Sequence, residues 1–410
     1  MKNRVKALLL ALLLLGGALV GCIEDENSVP PPSTGEVSSY EESGPTVPQE
    51  LEEYRGVWIS YLEFESMDFS SESAFRAEIA AMFDECKAIG LNTVIVQVRP
   101  FGDALYPSEI FPWSHLVTGT QGVAPNYDPL LVMVEEAHER ELRIEAWVNP
   151  YRVQLNVNKP QALAQSNPAV QNPTWAIEAN GGLYYNPALP EVREFITQGV
   201  IEIVRSYDVD GIHFDDYFYP FPLDVPFDEY LLPNGESLAQ WRRENVNQLI
   251  RQVYAAVKAE NPNIEFGISP QGNMGNNYTQ QYSDVEMWLA SEGYVDYIMP
   301  QIYWGFGYTT SNGSEAYQFD TLVQAWSALP RNENVRLYIG LGAYRVGVGD
   351  GGSNPQDEWM SGHNIADMIE YMRQADVNGY TLYRYAHVFG QDEYALQEAE
   401  GIARLNGETN

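Results

Sequence analysis

From Glu53 onward the chain repeats one pattern eight times: a short run of β-forming apolar residues, then a longer amphipathic helical stretch. The β runs fall at 55–61, 93–99, 143–149, 209–215, 264–269, 295–303, 335–343 and 379–385. The helical patterns fall at 73–89, 129–142, 190–207, 237–260, 283–291, 315–329, 364–375 and 393–405. Strict βα alternation forces a parallel sheet, because each helix must carry the chain back to the same end. Eight such units predict closure into a (β/α)8 TIM barrel over residues 53–410. An open, doubly wound nucleotide-binding sheet would carry a glycine-rich turn after its first strand. Ser60-Tyr61-Leu62-Glu63 stands there instead.

Loop lengths point to one face. The helix-to-strand links are short, as in Gly90-Leu91-Asn92. The strand-to-helix links are long, at about 100–127, 150–189, 217–235, 270–282, 304–314 and 344–363. In a barrel these all lie at the C-terminal end of the strands, where such enzymes carry their sites. The chain is rich in aromatics, with 27 Tyr and 9 Trp in 410 residues, and many fall in these loops. Flat apolar rings beside polar groups suit sugars. Most of these rings are expected to pack the loops and a handful to line a groove.

The N-terminus reads as an address. Lys2, Arg4 and Lys6 precede an apolar run from Ala7 to Val20, which ends Leu19-Val20-Gly21-Cys22. This predicts a signal peptide over 1–21 and a lipid on Cys22, giving a lipid-anchored, extracytoplasmic protein of the cell envelope. Residues 22–52, with Pro30-Pro31-Pro32 and many Ser and Glu, predict a solvated tether. A net charge of −34 argues against nucleic acid as a partner and leaves the lipid as the only membrane contact. Two cysteines, Cys22 and Cys86, make no disulfide framework.

The densest chemistry is Asp210-Gly211-Ile212-His213-Phe214-Asp215-Asp216-Tyr217. Side chains alternate along a strand, so His213 and Asp215 share the inward face and Ile212 and Phe214 the helix-facing one. Asp215, nearer the top, is the expected leading catalytic carboxylate, with hydrolysis of glycosidic bonds the expected chemistry. Such hydrolysis takes two carboxyl groups. Asp216 is nearest, but neighbours on a strand point apart. Asp103, after the second strand, and Glu63, after the first, are the other candidates. By the same alternation Gln97 with Arg99, Trp147 with Asn149, and Gln301 with Tyr303 face inward at neighbouring strand ends. Glu145 lies one layer deeper and is expected to be structural, paired with His213 or Arg99. Only five histidines occur and only His213 falls in a strand, so neither a zinc site nor a cofactor is expected.

Several segments together resemble the bacterial glycosyl hydrolase-like 10 family: Arg55-Gly56-Val57-Trp58, Gln97-Val98-Arg99-Pro100, Gly102-Asp103-Ala104-Leu105-Tyr106-Pro107-Ser108, Ala146-Trp147-Val148-Asn149-Pro150-Tyr151-Arg152, Tyr184-Tyr185-Asn186-Pro187, Asp210 to Tyr217, Asp296 to Trp304, and Gly340-Leu341. The resemblance implies a TIM barrel, an envelope location and hydrolysis of a glycan such as peptidoglycan strands. It also implies site positions at Asp215, Arg99, Asn149 and Gln301. Tyr151, Arg152, His213, Tyr303 and Trp304 complete the expected substrate-binding set. The sequence departs from the family around Glu63 and at Glu145. Two other readings stay open: a glycan-binding barrel lacking a second carboxylate, and a metal-dependent deacetylase. A chitinase-type mechanism is excluded, because Tyr217 stands where that motif needs its acid Glu.

Overall fold

Each barrel strand is a run whose alternate residues face two different cores, and that alternation sets the architecture. In the computed structural model, which describes residues 52–157, 162–220, 226–352 and 357–407, the strands are β1 (Tyr54–Ile59), β2 (Thr93–Arg99), β3 (Arg143–Val148), β4 (Gly211–Phe214), β5 (Glu265–Ile268), β6, β7 and β8 (Gly379–Leu382). β6 is interrupted, as Tyr297–Ile298 and Gln301–Ile302, and β7 likewise, as Arg336–Leu337 and Ile339–Leu341. Pro300 brings no N–H to the ladder at the first break. Pairing nevertheless continues across both breaks, since Ile298 and Pro300 carbonyls accept from the N–H groups of Tyr338 and Gly340 at 3.0 and 2.9 Å. All pairs within the barrel are parallel, and β8 lies between β7 and β1, so the ring closes. The expected signal peptide, the expected lipid site at Cys22 and the expected tether as far as residue 51 lie outside the described residues.

Among the described residues a barrel helix follows each strand, with shorter helices such as Tyr61–Phe64 in the loops: α1 (Glu72–Ala88), α2 (Pro129–Glu139), α3 (Pro190–Ser206), α4 (Leu238–Glu260), α5 (Val285–Ala290), α6 (Phe319–Ser327), α7 (Asn364–Met372) and α8 (Glu393–Gly407). α2 begins as its sequence predicts, with Asp128 accepting from the N–H groups of Leu130 and Leu131 and Pro129 at the first helical position. The outward residues of the strands, among them Val57, Val96, Ile144, Ile212 and Phe214, join the helices in one large core. The inward residues form a second cluster of Tyr54, Trp58, Ile95, Trp147, Tyr297, Met299 and Tyr338.

Room for these rings comes from glycine. A Cβ on Gly267 would stand 2.0 Å from the Tyr297 ring, and one on Gly340 2.7 Å from the Trp58 ring.

The loop after β3 departs from expectation. It holds an antiparallel sheet of Arg152–Gln154, Gly182–Tyr185 and Ala176–Ala179, where the sequence predicts an unstructured link. Strands of three or four residues are too short to show a period of two, and the turn that joins the last two, Asn180-Gly181 with positive φ at both residues, is the one local signal of the hairpin.

Candidate active site at the C-terminal face

The site is best built from the barrel floor upward. Glu145, fully buried, accepts from the hydroxyl of Tyr54 at 3.0 Å and from the hydroxyl of Tyr297, with Arg143 at 3.9 Å. Burial is the main force raising its carboxyl to about 7, opposed by Arg143. The expected partners His213 and Arg99 are therefore replaced by two tyrosines and Arg143, while the expected structural role agrees with this position. Tyr297 spends its proton on Glu145, so its oxygen accepts from Nδ1 of His213, 2.8 Å away. Nε2 of His213 then accepts from the Trp58 indole at 3.2 Å and faces the Ser269 hydroxyl at 2.9 Å. Burial lowers His213 to about 3, so the ring is neutral, consistent with this tautomer. His213 points inward as predicted. It stands beneath the cleft rather than on its wall, because the indoles of Trp58 and Trp147 cover it edge-on.

Above this column opens a cleft of about 360 Å³. Asp215 and Asp216 both line it, with Trp58, Trp147, Tyr217, Tyr303, Trp304, Tyr344 and Tyr383 supplying aromatic walls. Asp215 is 3% exposed and accepts from the Trp147 indole at 3.1 Å, the Asn149 amide at 3.0 Å and the backbone N–H of Tyr217 at 3.2 Å. Those donors favour its anion, yet burial outweighs them and, with the Asp216 charge, pushes Asp215 up to about 6 against the opposing pull of Arg152. Asp216 accepts only amide N–H donors: Gln271 at 3.1 Å, Gln281 at 2.9 Å and Gln301 at 3.2 Å. The sequence expectation that adjacent residues diverge is corrected here. β4 ends at Phe214, so strict alternation no longer governs residue 216, and both carboxyls reach one cleft.

The other expected residues divide. Gln301, Tyr303 and Trp304 line the cleft, and Asn149 reaches it through Asp215. Arg99 does not line it. A register shift between Gln97 and Arg99 pairs Arg99 with Val148, an outward position, and the guanidinium lies over Phe111 while donating to the Pro150 carbonyl. Tyr151 is fully buried in the outer core. Arg152 donates to the Pro100 carbonyl and lies under Tyr217, 5.4 Å from the ring. Asp103 lines a different cleft, held by His115 and Gln121. Glu63 caps the short helix after β1 and pairs with Arg384, so it braces the β1 and β8 loops. The sequence reading did not single out Ser269, Gln271, Tyr344, Arg345 or Tyr383. Their signal was position: each follows the end of β5, β7 or β8 by a few residues.

Paired carboxyls on the floor of an aromatic cleft, at the C-terminal face of a closed parallel barrel, define a glycoside hydrolase-type barrel protein. The chain belongs to the glycosyl hydrolase-like 10 family, whose profile matches residues 53–361. It is 38% identical over 351 residues to glycosyl hydrolase YngK of Bacillus subtilis, covering 80% of this chain but only 65% of YngK. It is 35% identical over 413 residues to glycosyl hydrolase DigH of Escherichia coli, covering 92% of this chain and 89% of DigH. The fold is similar to the PgaB glycoside hydrolase domain of Bordetella bronchiseptica, at TM-score 0.57 and 13% identity over 85% of this chain and 99% of that one. It is also similar to the β-amylase catalytic domain of Paenibacillus polymyxa, at TM-score 0.53 and 11% identity over 87% and 98%.

Proposed function

We propose that the chain hydrolyses glycosidic bonds of a bacterial envelope polysaccharide, with peptidoglycan glycan strands as its substrate. The observation that carries this is the joint placement of Asp215 and Asp216 on one aromatic-walled floor. Asp215, desolvated and raised, holds a proton in mildly acid solution and gives it to the glycosidic oxygen. Asp216, fixed by three amides, offers its carboxylate to the charge that develops at the anomeric carbon. The rings of Trp58, Trp147 and Tyr217 line the cleft and offer apolar contact to the sugar. A glycan-binding barrel without a second carboxyl has less support, because Asp216 supplies that carboxyl. The test is incubation with intact and peptide-free peptidoglycan, scoring released fragments by mass. The proposal expects cleaved glycan; substrate left whole by a folded protein would reject it.

A pH dependence follows. An acid catalyst works only while protonated, so kcat/KM should fall about tenfold per pH unit above an apparent pKa near 6. Initial rates on soluble strands from pH 4 to 9 provide the check, and a rate that stays level to pH 8 would remove Asp215 as the proton donor.

The N-terminal sequence extends the proposal to location. A lipid on Cys22 would tether the enzyme outside the cytoplasm, beside such a substrate. Cells fed radiolabelled palmitate should label the wild-type chain and not Cys22→Ala. Equal label in both would reject the anchor.

A further inference from the structure

A second cleft, of about 240 Å³, opens among the loops after β1, β2 and β3. We propose that it binds a further pyranose unit of the same glycan, beyond the sugars that flank the scissile bond. This deepens the hydrolase reading and rests on it.

Tyr61 and Phe101 wall this cleft, their rings edge to face at 5.2 Å. His115 also lines it, tilted against Phe101. Its Nδ1 faces the fully buried Asp103 at 3.3 Å, and Gln121 donates to the same Asp103 oxygen at 2.9 Å. The Gln121 carbonyl in turn accepts from Ala164 N–H and Asn167, which fixes the amide orientation. With Nδ1 of His115 turned to the Asp103 carboxylate, Nε2 is the ring nitrogen left to meet a ligand hydroxyl. An aromatic wall beside a held ring nitrogen is what a sugar ring with its hydroxyls requires. Glu65 also lines this cleft, while Asp103 is fully buried and held against His115 and Gln121.

One side chain joins the two clefts. The Arg152 guanidinium lies 5.6 Å from the Tyr61 ring, 5.2 Å from Phe101 and 5.4 Å from Tyr217. Tyr61 and Phe101 belong to the second cleft and Tyr217 to the catalytic one. Tyr217 is 49% exposed, lines the catalytic cleft and is the third ring beside the Arg152 guanidinium. A shared cation under three rings keeps the separation of the two clefts within reach of one extended oligosaccharide.

The test reads binding in an Asp215→Asn background, so that turnover consumes nothing. Affinities of a peptidoglycan disaccharide and of long peptide-free strands are measured by calorimetry for that protein and for added Tyr61→Ala, Tyr61→Phe or His115→Ala. The ratio of long-strand to disaccharide affinity should fall about tenfold with Tyr61→Ala and His115→Ala and be retained with Tyr61→Phe, with melting temperatures confirming folded protein. An unchanged ratio in both alanine variants would overturn the second subsite, as would a parent with no preference for long strands. Failure of the hydrolase reading shows separately, as wild-type protein that leaves strands uncut.

Discussion

Asp215→Asn is expected to yield a folded protein whose kcat/KM on glycan strands is lower by on the order of 10³-fold, the usual scale for removing a general acid. Asn keeps the size of Asp, and its carbonyl still accepts from the Trp147 indole or the Tyr217 N–H. It removes a carboxyl that burial already disfavours as an anion. Stability should therefore hold or rise, and the melting temperature should change little. Loss of activity with retained melting separates a chemical role from a structural one. A variant that keeps wild-type rates would mean the proton reaches the leaving oxygen from another group.

The second large effect falls on stability. Glu145→Ala removes the common acceptor of Tyr54 and Tyr297 and leaves Arg143 with less compensation in the barrel floor. Two buried hydroxyls lose their partner, and a cavity opens between aromatic rings. Breaking such a buried charged network costs about 3–5 kcal/mol. For a domain of this size that lowers the melting temperature by on the order of 5 °C. Glu145→Gln, which keeps an acceptor, should lose less. The sign with pH also follows. Burial raises the Glu145 carboxyl from its ordinary value of about 4.5 to about 7 in the folded state, so its contribution is fully present below 4.5 and fades as pH rises through 7. Thermal melts of the three proteins at pH 5 and pH 8 test both statements. Equal melting of Glu145→Ala and wild type would show that the floor network carries no stability.

The parts of the site that were legible in the sequence are those governed by strand period alone. β2 begins and ends where its apolar run does, and alternation placed His213 and Asp215 inward and Ile212 and Phe214 outward. Alternation failed wherever the strand stopped being regular. The shift after Gln97 took Arg99 out of the barrel, and the end of β4 at Phe214 let Asp216 join Asp215. Depth was also hidden. His213 faces inward, but nothing in its own segment says that Trp58 from β1 covers it. Tyr383 and Trp58 come together because β8 pairs with β1, a closure made by residues more than three hundred positions apart. Asp103 read as a candidate acid because it follows a strand end, yet its loop folds it against His115 and Gln121.

The central claim is that the Asp215 carboxyl meets the bond to be cut. Its most direct measurement is a crystal structure of Asp215→Asn with an uncleaved glycan-strand fragment. The account predicts a glycosidic oxygen within hydrogen-bonding distance of the residue 215 side chain, with Asp216 beneath the anomeric carbon and a sugar face on the cleft's aromatic wall. A fragment seated away from residues 215 and 216, with the catalytic cleft empty, would contradict it.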